Sequence, residues 1–157
     1  MTNSVSKSSI IPGVWKNFYD RIKSQVTTVT ITGSTVVPVQ NWVADFPDQL
    51  IDTKSEYPII VIRDPKTPTD TFTATKTKLT GTIEIEVFAN QAEAASKLIA
   101  QVINSIETYK GDLAKVGIRQ ITNADTNQDS ATRGKIKLHL RSIVFNFTLF
   151  YTNTQGF

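Results

Sequence analysis

The chain has 157 residues, 39% of them apolar, and 17 Lys and Arg against 14 Asp and Glu give a net charge of +3. That length suits one domain with a core of its own, and the charge lacks the concentrated basic excess of a typical nucleic-acid binder. The absence of Cys excludes disulfides, thiolate metal sites and cysteine nucleophiles, and fits a protein made in a reducing cytosol.

The first ten residues are polar and carry no signal-peptide apolar run. Residues 1–10 are therefore expected to be a flexible tip, and residues 11–157 a single α+β domain. No stretch is apolar for long enough to cross a membrane as a helix, so no membrane partner is expected. Pro12 suits a first helical position, where a missing N–H costs nothing. Trp15, Phe18, Ile22 and Val26 follow at helical spacing, predicting a helix of about three to four turns. Residues 27–32 and 35–40 are β-rich runs either side of Gly33-Ser34, which predicts a hairpin. Pro38 confines the second run to an edge or an early end.

Residues 41–50 read as an aromatic loop in which Trp42 and Phe46 are expected to cover the core, the alternative being an interface. The run Tyr57-Pro-Ile-Ile-Val-Ile-Arg-Asp64 is nearly continuous in apolar residues and bounded by Pro58 and Pro65, which predicts a strand covered on both faces. Residues 65–78 hold two prolines and six threonines with no apolar period, the pattern of a long contact loop or a ribbon excursion.

The centre of the chain is a strand over 79–89 running into an amphipathic helix over 91–109. Leu79, Ile83, Ile85 and Val87 share one strand face, and Thr82, Glu84 and Glu86 the other, wet one. Ala95, Ile99, Val102, Ile103, Ile106 and Tyr109 make the helix stripe. Asn90 with Glu93 reads as a capping box, and Gly111 as a natural stop, with one more turn allowed over 112–116. A short strand is predicted over 118–122, then a polar turn region over 123–133. In the last strand, Ile136, Leu138 and Leu140 are apolar at even positions, and Ile143, Phe145, Phe147 and Leu149 at odd ones. The buried face therefore changes near Arg141-Ser142, through a bulge or a change of packing environment. The C-terminal half is expected in the domain sheet and the N-terminal half in a ribbon with 118–122. The fold class is α+β: a mostly antiparallel sheet packed against two main helices, with a β-hairpin or ribbon extension.

Chemistry is sparse. His139 is the single histidine and sits on a polar strand face with no second ligand in pattern. Glu84 and Glu86 share a strand side with no sign of the two environments that an acid–base pair needs. Asp125, Asn127 and Asp129 lack the glycine and the terminal Glu of a calcium loop. No phosphate-loop, dinucleotide or nucleophile-elbow motif is present, so no enzyme, cofactor or metal is expected. The acidic face (Glu84, Glu86) and a basic one (Lys135, Lys137, Arg141) can pair within the sheet or between copies.

The succession "YPIIVIRD", "GTIEIEVFAN", "AEAASKLIAQVINSIE" and "KIKLHLRSIVFNFTLFY" resembles the tail terminator (tail completion) proteins of long-tailed bacteriophages over about residues 15–151. Residues 27–50 have no assigned place in that pattern. The resemblance implies a homo-oligomeric ring, usually of six copies, at the head-proximal end of the virion tail, assembled in the host cytoplasm. Such a ring caps the tail tube, halts its polymerisation, joins it to the head-completion or connector protein, and lets genomic DNA pass through its lumen. Glu84 and Glu86 would then meet Lys135, Lys137 or Arg141 of a neighbour, as the heterologous contacts of a ring allow. Lys66, Lys76, Lys78 and Arg133 would bring the loops 65–78 and 123–133 to adjoining rings or the lumen. The alternatives are another tail-tube or connector subunit, or a nucleic-acid-binding α+β module using Lys135, Lys137 and Arg141.

Overall fold

A computed structural model describes residues 10–32, 35–44, 57–66, 78–133 and 136–150. The elements are α1 (Ile10–Gln25), β1 (Thr28–Ile31), β2 (Thr35–Pro38), β3 (Asn41–Val43), β4 (Ile59–Ile62), β5 (Lys78–Ala89), α2 (Ala92–Lys115), β6 (Ile118–Arg133) and β7 (Ile136–Phe150). Strands β1 and β2 form a separate antiparallel pair, and the main sheet runs β3-β4-β5-β7-β6. All pairings in the main sheet are antiparallel except β3 with β4. The α+β class expected from the sequence is the observed one.

The core follows from the two periodicities. Ile10, Val14, Phe18 and Ile22 recur along α1, and Ala95, Leu98, Val102, Ile106 and Leu113 along α2, each set making one buried stripe. They meet Leu79, Ile83, Ile85 and Val87 of β5 and Ile143, Phe145, Phe147 and Leu149 of β7, with the Phe18 and Phe147 rings 6.0 Å apart. Helix α1 starts at Ile10, ahead of Pro12, because Ile10 is itself a core residue. Pro12 still falls in the first turn, where N–H groups have no helical acceptor.

Strand β4 is buried on both faces, as its sequence predicts. Ile60 and Ile62 enter the main core, while Ile59 and Val61 join Tyr57 and Leu138 in a second cluster on the opposite side. Trp42 belongs to β3 and packs at the core margin, edge-on to Tyr19 at 6.2 Å. Tyr19 in turn stacks on Trp15 at 4.6 Å. The Trp15 indole N–H donates to the Ile62 carbonyl at 2.6 Å, tying α1 to β4. Phe46 lies outside the described residues, as do residues 1–9, Gly33 and Ser34, and 67–77 of the segment expected to be a loop.

Helix α2 departs from the expected boundaries at both ends. Its N-cap residue is Gln91, with no side-chain cap. The Glu93 carboxylate accepts instead from the Thr32 backbone N–H at 3.0 Å and from the Thr32 hydroxyl, and it pairs with Lys97 at 2.9 Å. These donors, Lys97 first, hold the Glu93 carboxyl at a pKa of about 2. Lys97 Nζ and Gln101 Nε2 also donate to the Thr30 and Thr28 carbonyls, so the β1–β2 hairpin is tethered along α2. At the other end the helix runs through Gly111, because stopping there would leave Leu113 and Val116 out of the core. Burying one such side chain is worth about 1.5–3 kcal/mol, more than the roughly 0.5–1 kcal/mol a helical glycine costs. The stop is Gly117 at φ +97°, whose N–H bonds to the Ala114 carbonyl at 3.1 Å.

The largest correction concerns 118–133. One strand, β6, occupies all of it, so 123–133 is not a turn region. It pairs with β7 out to Arg133 opposite Ile136. Polar alternation without apolar residues gives no burial signal, and this strand is held by its backbone ladder. Register shifts fall between Arg119 and Thr122 and between Asn123 and Asp125. The first allows Ile118 and Ile121 both to reach the core, although their spacing would put them on opposite faces of a regular strand. Strand β7 keeps an unbroken register with β5 from His139 to Phe150. Its change of apolar face is therefore a change of environment: Leu138 packs in the second cluster, and Ile143 onward in the main core.

Candidate functional site

Directly paired residues of neighbouring strands point to one face, so the register places the charged residues. On the face away from the helices one row runs Glu84, Val144, Asp125. The next runs Val61, Glu86, Ser142, Asn127, and the next Ile59, Phe88, Leu140, Asp129. Four carboxylates, those of Glu84, Glu86, Asp125 and Asp129, thus share this face. The face is not uniformly wet as expected: Glu86 is 8% exposed. Arg63, just past β4, donates its backbone N–H to the Glu84 carbonyl at 3.0 Å. Its guanidinium is ion-paired with Glu86 and stands 3.8 Å from Glu84. Among the described residues, a cation of the same chain therefore meets the predicted acidic pair.

The opposite face carries Lys137, His139 and Arg141. Arg141 pairs with Val87 and Gln128, His139 with Ala89 and Ser130, and Lys137 with Thr132. Helix α2 covers Val87 and Ala89. Arg141 lies at the margin of that cover, its Nε donating to Ser96 Oγ at 3.2 Å and its Nη1 to the Leu140 carbonyl at 3.0 Å. Lys137 is exposed beyond it. Because Lys137 and Arg141 are on the far side of the sheet from Glu84 and Glu86, pairing between these sets within one sheet is excluded. Lys135 lies outside the described residues.

Of the residues expected to reach adjoining rings, Lys66 exchanges backbone hydrogen bonds with Thr82 at 2.8 and 3.0 Å. Lys78 begins β5 opposite Phe150, with its ammonium 5.5 Å from that ring's centroid. The Arg119 guanidinium sits 5.4 Å from the same ring. Arg133 closes β6 opposite Ile136, and Lys76 is outside the described residues. Lys78 and Arg133 therefore mark opposite ends of β7, roughly 45 Å apart at strand rise.

Asp125, Asn127 and Asp129 stand on an extended strand at steps of roughly 6.7 Å, which does not gather ligands around one ion. Among the described residues no group of three His, Asp or Glu side chains converges. Among the described residues no helix is long and apolar enough to cross a membrane.

Two participants escaped the sequence reading. Arg63 shares strand parity with Val61, so its approach to Glu84 and Glu86 depended on knowing that β4 pairs with β5. The alternation at 125, 127 and 129 was a period-two signal, but without apolar partners it did not separate strand from turn. Comparison with family models gives no match, and comparison with curated proteins gives none either.

Proposed function

We propose that the chain is a non-enzymatic assembly protein of a phage tail. Copies form a ring that caps the tail tube, halts its growth, joins it to the head connector and leaves a passage for DNA. The observation that carries this reading is the length and placement of β7. Its 15 residues run from the helix-covered core, where Phe150 pairs with Lys78, out to a two-stranded ribbon in which Ile136–Leu138 pair only with Ala131–Arg133 among the described residues. An adaptor between two assemblies needs contact regions at separated ends of a rigid body, and the two ends of β7 supply that separation. The resemblance in element order supports the same reading.

Native mass spectrometry across protein concentrations, with absorbance at 260 and 280 nm on the same species, tests it. A discrete ring free of nucleic acid is expected. Filaments would point to a tube subunit, co-purifying nucleic acid to a nucleic-acid-binding module, and a monomer at every concentration would count against a ring.

A further inference from the structure

We infer that copies of this chain join by laying the acidic face of one β6–β7 ribbon against the basic face of the next. The inference rests on the proposal that the chain self-associates; it does not depend on what the assembly caps.

Asp125, Asn127 and Asp129 are exposed on one face of the ribbon, and Lys137 is exposed on the other, beside His139 and Arg141. Among the described residues none of these charges has an ion-pair partner in its own chain. The Asp125 carboxylate is approached by the Asn127 amide at 3.5 Å, Asp129 accepts from the Ser130 N–H at 2.7 Å, and Arg141 donates to Ser96 and Leu140. The spacings match. Asp125 and Asp129 are four residues apart, as are Lys137 and Arg141, about 13 Å along a strand in each case. One contact therefore brings both acids opposite both bases in one register, with Lys137 met beyond the helix cover and Arg141 at the margin of α2.

Like faces repel, so the contact is between unlike faces, head to tail. That is the heterologous geometry that closes into rings. Half-buried Leu140 and Val144 stand on the acidic face among the carboxylates and supply apolar area to the contact. In this arrangement the acid side of the contact is carried by Asp125 and Asp129, leaving Glu84 and Glu86 to Arg63.

Charge reversal tests the inference. Asp125→Lys with Asp129→Lys makes both faces basic, and Lys137→Glu with Arg141→Glu makes both acidic. A second acidic variant, Lys137→Glu with Gln128→Glu, leaves the Arg141–Ser96 hydrogen bond in place. Sedimentation velocity at about 0.05 M salt, where exposed charges are little screened, reads assembly, and circular dichroism melting reads folding. Each variant alone is expected to need at least tenfold more protein than wild type to associate. Equal mixtures of a basic with an acidic variant are expected to recover association to within about threefold, since unlike faces meet again. Folded variants that associate alone as wild type does, or that stay apart when mixed, overturn the ribbon contact while a wild-type ring still stands. A wild type that is monomeric throughout overturns both readings.

Discussion

Replacing Gly117 by Ala tests the join between α2 and the end of β7. Gly117 has φ +97°, and a Cβ built there would lie 2.1 Å from the Phe150 carbonyl oxygen and 3.1 Å from its carbon. Both are backbone atoms, so no side-chain rotation relieves the contact. The Gly117 carbonyl also accepts from the Phe150 N–H at 2.7 Å. The positive φ costs an L-residue about 1–2 kcal/mol, and moving Phe150 away forfeits a hydrogen bond worth about 0.5–1.5 kcal/mol. Together these predict a loss of about 1.5–3.5 kcal/mol. For a chain of this size that is a fall in Tm of about 3–14 °C, measured at a matched protein concentration so that association does not enter the comparison. Gly117→Asn tolerates positive φ better but carries the same Cβ, and should keep the part of the loss that comes from the contact with Phe150, about 0.5–1.5 kcal/mol. Wild-type melting of Gly117→Ala would refute the close approach. Recovery in Gly117→Asn alone would place the cost in φ and not in the contact with Phe150.

Gly111→Ala should act in the opposite direction. Nothing lies within 4 Å of a Cβ there and the residue is helical, so urea denaturation should show a gain of about 0.5–1 kcal/mol. Arg63→Ala removes the cation facing Glu84 and Glu86. With Arg63 partly exposed, a loss of about 1 kcal/mol is expected by denaturation, and Glu86→Leu in the same background should recover most of it. Glu93 has a folded pKa of about 2 against 4.5 unperturbed. Its stabilisation is therefore complete above about pH 4.5 and lost as the pH falls through about 2. The Tm difference between wild type and Glu93→Gln should shrink over that window, with faster hydrogen exchange in β1 and β2 of the variant near neutral pH.

Most of the fold was legible because most of its elements bury a patterned face. Phe18 and Ile22 at helical spacing and Ile83 and Ile85 in alternation each state a periodicity, and the unbroken run of β4 reads as a buried strand from its short length and its flanking prolines. The capping box at Asn90 misled because Glu93 had stronger donors in Thr32 and Lys97, which come close only when the hairpin lies along α2. Gly111 misled because local punctuation is weaker than the burial of Leu113 and Val116.

The candidate surface was legible in part. The grouping of Lys137 with Arg141, and of Glu84 with Glu86, followed from strand parity within one segment. Their placement on opposite faces of the sheet did not, because a face is defined only once β5, β7 and β6 are in register. The sequence by itself determined the class of the protein: one-faced helices and strands that must close on a common core, with no motif that announces a reaction. Only the tertiary structure decided that 118–133 is one strand, that Arg63 answers Glu86, and that Asp125 and Asp129 back onto Lys137 and Arg141. The reason is physical. Burial leaves its mark in the order of residues along the chain, whereas a polar ladder is stabilised by backbone groups that every residue carries, and its partner can be read only in space.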